Sequence, residues 1–224
     1  MFFKVIGIWL ILLIVVRLVN YFKKVYRRQE YAIQKGKEGE LQIKNSLSKV
    51  QGLRTLSNLY IPTPYGFSEI DLVAVKDGII FVIESKNYSC KVNGNSYDTQ
   101  WKLEYGNGKQ YDMYNPIMQN DKHLQVLTNL FRGFVPCELK SVVVFSNTSD
   151  ISKVVNHRSD VIVCNEKDLI HELSNKSLKY DVSKRKETDK VYNLLQRFTN
   201  APDDIKKEHI KNVKKYKKNK KRVK

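Results

Sequence analysis

Two strand-length apolar runs, Ser68 to Lys76 (SEIDLVAVK) and Ile79 to Asn87 (IIFVIESKN), are separated by Asp77-Gly78 alone. A two-residue Asp-Gly loop selects a type I′ turn, because both of its positions take positive φ, and it predicts an antiparallel hairpin of fixed register. That register sets Asp71 opposite Glu84, and Glu69 opposite Lys86 two residues further from the turn. Side chains so opposed have Cβ atoms about 4.5–5.5 Å apart, and like charges at that distance are destabilising. The two strands are otherwise apolar, Ile70 and Leu72 to Val75 on one and Ile79 to Ile83 on the other, as strands buried on both faces are. Two carboxylates at the polar end of such a hairpin need a compensating cation. Divalent metal with oxygen ligands fits, Mg²⁺ above all, with Mn²⁺ as a substitute, since one or two carboxylates, waters and a substrate phosphate suffice to hold it. Lys86 is then placed to orient a water or to stabilise charge developing on phosphate. Solvated hairpin-end charges are the other reading of the same residues.

Around the hairpin the pattern is mixed. Residues 30–50 have apolar positions at helical spacing, and Arg54 to Ile61 reads as a short strand halted by IPTPYG. The 88–111 region, with its NGN and GNGK turns around Trp101, reads as a hairpin excursion. Asn115-Pro116 opens a helix that runs to about Phe131, with Asn115 as N-cap and Pro116 in the first helical position. SVVVFS (141–146) and VIVCN (161–165) are buried strands, and EKDLIHEL and ETDKVYNLLQRF are later helices. This order implies an α/β layer fold with helices over a central sheet. Trp101 and the tyrosines at 97, 105, 111 and 114 either stack on nucleic-acid bases or hold the excursion together.

The formal charge of +17 lies at the two ends. Residues 1–30 hold six Lys/Arg against Glu30, and residues 205–224 hold eleven against Glu208, which leaves 23 basic and 21 acidic residues between. Val5 to Val16 is strictly apolar and the stretch extends to about Phe22, so residues 1–22 are expected to form a transmembrane anchor in the lipid bilayer. The KKVYRR that follows makes 23–30 a basic juxtamembrane segment and puts the remainder in the cytoplasm, as a single-pass protein of the cell membrane. The tail, 205–224, has too few apolar residues to bury and is expected to be disordered, its charge resting on anionic lipid, on nucleic acid or on solvent alone. Three cysteines without a CxxC suggest neither a disulfide framework nor a zinc site.

Several linked motifs appear in order: Gly36-x-x-Gly39-Glu40, Glu69-Ile70-Asp71, Ile83-Glu84-Ser85-Lys86-Asn87-Tyr88, Trp101, and Asn115-Pro116-x-x-Gln119-Asn120-x-x-His123. Together they resemble the nuclease-related domain (NERD) family of the PD-(D/E)xK nuclease superfamily, with Ile70 where a proline is usual. The resemblance implies a restriction-endonuclease-like core, a mixed central sheet flanked by helices, within residues 31–204, which also carry a helical C-terminal extension. It implies that Asp71, Glu84 and the carbonyl of Ser85 are metal ligands, that Glu40 adds a metal or water contact, and that Lys86 positions the attacking water. Gln119 is expected beside the site, with His123, Trp101 and Asn87 as substrate contacts. The implied function is metal-dependent hydrolysis of phosphodiester bonds in DNA or RNA. A non-catalytic nucleic-acid-binding or scaffold module at the membrane is the alternative.

Overall fold

Asp77 and Gly78 adopt φ of 38° and 89°, the pair of positive values that a type I′ turn requires. They join β2 (Gly66–Lys76) to β3 (Ile79–Lys86), paired antiparallel from Lys76↔Ile79 to Leu72↔Ile83. A second two-residue turn, Pro64-Tyr65, joins β2 to β1 (Arg54–Thr63). On its other side β3 runs parallel to β7 (Glu138–Phe145), and β7 runs parallel to β9 (Val161–Asn165). The result is a mixed five-stranded sheet in the order β1-β2-β3-β7-β9. The computed structural model describes residues 2–132, 137–174 and 178–222, with side chains placed at 9, 12–132, 137–174 and 178–215.

The alternating side chains of β2 and β3 feed a core on each face of this sheet. On one face Leu72, Ala74, Phe81 and Ile83 pack with Ile43 and Leu47 of α1 (Phe2–Leu47) and with Leu169 and Leu173 of α3 (Glu166–Leu173). On the other, Val73, Val75, Ile80 and Val82 pack with Leu127 of α2 (Pro116–Leu130) and with Val191 and Leu195 of α4 (Arg185–Gln196). Full burial of each such side chain contributes about 1.5–3 kcal/mol, so the hairpin is the most strongly held part of the sheet.

The expected excursion is a second sheet. β4 (Lys91–Asn95), β5 (Gln100–Glu104) and β6 (Gln110–Tyr114) are joined by β8 (Asp150–Val155) in the order β6-β5-β4-β8. Trp101 is fully buried beneath it, stacked on Phe145 at 6.2 Å with Nε1 donating to the Asn95 carbonyl at 2.8 Å. A Cβ on Gly94 would stand 2.2 Å from the Trp101 ring, so only glycine fits there. With no ring face open, Trp101 holds the sheet together and offers a base nothing to stack on.

Two expectations about the ends are corrected. Residues 1–22 are the start of α1, a helix of 46 residues, and among the described residues no helix is long and apolar enough to cross a membrane. Arg17 and Asn20 interrupt the apolar positions from Leu12 onward, and Lys23 and Lys24 end them, short of the roughly 20 apolar residues that a span needs. The single-pass anchor, the bilayer contact through 1–22 and the cell-membrane location inferred from them are therefore not supported. Residues 2–8, 10 and 11, part of the apolar run, lie outside the described side chains. The tail, expected to lack structure, forms α5 (Asp203–Arg222). The chain divides into two units, Met1–Glu38 and Gly39–Lys224, and both sheets belong to the second.

Candidate active site

The polar end of the β2–β3 hairpin gathers the residues that the register singles out. Asp71 and Glu84 flank the last paired positions, Leu72↔Ile83, and Asp71 Oδ2 accepts a hydrogen bond from the Ser85 N–H at 3.0 Å. Glu84 is 1% exposed. Its Oε1 accepts from Lys86 Nζ at 2.5 Å, and the same ammonium donates to Gln119 Oε1 of α2 at 3.2 Å. The spacing of Gln119 and His123, one turn apart on α2, brings both to this end of the sheet.

Several local features hold these elements in place. Asn115 caps α2, its Oδ1 accepting from Ile117 N at 2.9 Å, while its amide donates to the Ser96 and Asp98 carbonyls of the β4–β5 loop. Fully buried Asn120 donates to the Val82 carbonyl at 2.8 Å and to Ser141 Oγ at 2.9 Å, which clips α2 across β3 and β7. Gly39 lets α1 approach the end of β3, since a Cβ there would stand 2.8 Å from Asn87 Cβ. Glu40, the next residue, is thereby brought close enough that its charge acts on Asp71 and on Tyr60. On the other edge the β1–β2 ladder skips one position: Asn58, which stands opposite Asp71, takes φ 55°. Left-handed backbone at a non-glycine residue is strain of the kind found at functional sites.

The electrostatics divide the two carboxylates. Burial raises the Asp71 carboxyl well above the ordinary range, the Glu84 charge raises it further, and Lys86 and the Ser85 N–H only partly oppose them. Burial acts in the same direction on Glu84, but Lys86 and then His123 outweigh it and hold Glu84 below its ordinary value. Lys86 itself would be lowered by burial, yet the charges of Glu84 and Asp71 raise it, so it stands as an ammonium.

His123 is buried at 8% exposure, with Nδ1 3.2 Å from Ser68 Oγ and Nε2 3.3 Å from Glu84 Oε2. The latter pair is close but lacks hydrogen-bond geometry, leaving Glu84 Oε2 and His123 Nε2 both buried without a hydrogen bond. His123 therefore orients Glu84 and is not placed as an open substrate contact. Glu69 departs from its expected partner as well. It lies beyond the β2–β3 ladder, accepts from Tyr60 Oη at 2.5 Å, and faces His209 Nε2 at 3.4 Å. Ser68, Tyr60, Asn58 and His209 were not marked by the sequence pattern. Their places depend on where the β ladders stop and on α5, and no local spacing signals either.

The donor set suits a hard cation. Two carboxylates and a peptide carbonyl are all oxygen, Glu84 Oε2 is a buried oxygen without a hydrogen bond, and positive charge would relieve Asp71. Among the described residues no group of three or more His, Cys, Asp or Glu is gathered to hold a metal, so any ion here would depend on Asp71, Glu84 and the Ser85 carbonyl, with water or phosphate completing its shell.

Comparison with known proteins gives three matches. Residues 35–146, half of the chain, match the family described as Nuclease-related domain. An uncharacterized protein of Bacillus anthracis is 28% identical over 183 residues, which cover 79% of this chain and 82% of that one. A crystal structure described as a protein of unknown function is similar at 14% identity and a TM-score of 0.34, over 57% of this chain and 56% of the other.

Proposed function

Given that the chain belongs to the nuclease-related domain family, we propose that it is a metal-dependent nuclease that hydrolyses phosphodiester bonds of DNA or RNA. One observation carries the reading: buried Glu84 is shared between Lys86 and His123, with Asp71 beside it and Gln119 steering the ammonium. A purely structural cluster of this kind has little reason to persist, because well-packed apolar residues are as stable or more so.

Asp71, Glu84 and the Ser85 carbonyl would hold Mg²⁺ or Mn²⁺, with Glu40 near enough to add to the field. Bound there, the ion would supply positive charge to the phosphate oxygens. The chain's own residues do the rest. Lys86 has three N–H donors, of which Glu84 and Gln119 take two, and the remaining one orients the attacking water or contacts a phosphate oxygen. Gln119 and Glu84 fix the direction of that donor. His123 keeps Glu84 turned toward the site, and Asn87 borders it where α1 meets β3.

The test is cleavage of labelled DNA and RNA with and without Mg²⁺ or Mn²⁺. Asp71→Ala and Lys86→Ala should each lower the metal-dependent rate by about 10²-fold or more while the far-ultraviolet circular dichroism is retained. Equal cutting by parent and both variants would remove these residues from the mechanism. Metal-independent binding without cleavage would instead make the domain a nucleic-acid-binding module.

A further inference from the structure

The proposed site is acidic at its rim. Glu40, Glu69, Asp71 and Glu84 lie around Lys86, and residues 31–204 are nearly neutral as a whole. A polyanionic strand approaching such a site is repelled unless a basic surface stands beside it at a fixed place.

α5 meets that requirement. Its half-buried residues Ile205, His209, Asn212 and Val213 recur at helical spacing and turn toward the body of the unit. His209 Nδ1 lies 2.8 Å from the Phe67 carbonyl, Nε2 lies 3.4 Å from Glu69 Oε2, and the ring meets Tyr60 edge-on at 5.8 Å. Asn212 packs onto Gly66, where a Cβ would stand 2.8 Å from its Nδ2. The anchor is thus on β2 itself, two residues from Asp71, and its Tyr60 hydroxyl feels the charges of Glu40 and Asp71. Away from the body, Lys207, Lys211, Lys214 and Lys215 are all exposed and fall at i, i+4, i+7 and i+8, one stripe along the helix. Glu208 is the only acidic residue of the helix after Asp204.

We infer that α5 is a nucleic-acid-binding arm whose lysine stripe holds the phosphate backbone flanking the cleavage site, and that Glu69 and His209 are positioning residues that fix the arm to β2. The inference rests on the carboxylate site being where nucleic acid is processed. Lysine is suited to the task as a compact cation that contacts phosphate without reading sequence, so the arm would supply affinity and register, and no base preference.

The experiment is equilibrium binding of a short fluorescent DNA duplex, and of its RNA counterpart, to the full chain in EDTA over a series of salt concentrations. Each phosphate neutralised on B-DNA contributes about 0.9 to the slope of log K against log salt. The quadruple variant Lys207→Gln, Lys211→Gln, Lys214→Gln, Lys215→Gln should therefore flatten that slope by about 3–4 and bind at least tenfold more weakly at low salt. His209→Ala, which keeps every lysine, should reproduce part of the loss in affinity and raise KM for cleavage with little change in kcat. Unchanged affinity and slope in the quadruple variant would overturn the inference. So would an unchanged His209→Ala, because charge without a fixed place is not an arm. Loss of binding to phosphatidylserine vesicles with DNA and RNA binding intact would assign the stripe to an anionic lipid surface instead. Asp71→Ala should bind like the parent. If parent and Asp71→Ala both bind through α5 and neither cuts, the cleavage reading fails and the arm stands; if the parent cuts and the quadruple variant binds and cuts equally well, the arm fails and the cleavage reading stands.

Discussion

A buried carboxylate keeps its charge only where neighbours compensate its lost hydration, and the two at this site differ in that respect. Glu84 has Lys86 and His123, whereas Asp71 has one backbone N–H and faces the Glu84 charge. In metal-free protein Asp71 is therefore a source of instability. Asp71→Asn keeps an oxygen for the Ser85 N–H and removes the charge, so it should raise Tm without metal while abolishing metal-dependent cleavage. A gain of about 1 kcal/mol corresponds to about 2–4 °C in a domain of this size. A fall in Tm, measured by calorimetry in EDTA, would show that Asp71 stabilises the fold. The pair itself was legible because strand periodicity and an Asp-Gly turn fix register without any tertiary knowledge. The rest of its surroundings was not. Register carried one step past Leu72↔Ile83 held for Asp71 and Glu84, but two steps further it failed for Glu69, which the chain turns toward Tyr60 and His209.

Elements announced by a local signal were readable, and those made by distant pairing were not. α2 was visible in Asn115-Pro116, whose cap and first-turn proline need no partner. β8 (DISKVV) was not, because half its residues are exposed and its parallel pairing is to β4, more than fifty residues earlier. The start of α1 misled for the opposite reason: an apolar run has the composition of a membrane span before it has the length. Within that same helix, Gly36 and Gly39 look alike in sequence and differ in structure. Nothing lies within 4 Å of a Cβ built on Gly36, whereas one on Gly39 would stand 2.8 Å from Asn87 Cβ. Alanine in place of helical glycine gains about 0.8–1.0 kcal/mol, and overpacking loses about 1–3 kcal/mol. Gly36→Ala should therefore stabilise the protein by nearly the full helix gain. At Gly39 the loss prevails: Gly39→Ala should lower stability and, by displacing Glu40 and Asn87 from the site, lower cleavage as well. Urea unfolding of the two variants checks both signs, and equal gains would mean that α1 does not depend on this close approach.

At the scale of the whole molecule, the +17 in the composition describes the ends and says little of the core, and the pH dependence of stability should show that separation. Surface lysines have similar charge folded and unfolded, so they contribute little to the slope of stability with pH. Buried groups contribute most. The Cys164 thiol, 5% exposed, is pushed up to about 12 by burial and by the nearby charges of Glu172 and Asp168, and burial and Asp77 also push the half-buried Tyr180 phenol up to about 12. Both folded values lie above the ordinary ones of 9.0 and 10.0. The unfolded chain therefore loses these protons first as pH rises, and it is the folded state that holds them. The contribution is fully present below about pH 9 and is lost between there and about pH 12. Each group adds at most about 1.4 kcal/mol per pH unit to the decline. Urea unfolding at a series of pH values above 8 should show stability falling with a slope that Cys164→Ala makes shallower, even though removing the side chain lowers stability at every pH. Should parent and Cys164→Ala decline in parallel, the thiol would have to ionise as readily in the folded sheet as in the unfolded chain, and the close packing of β9 against α3 that keeps it neutral would be wrong.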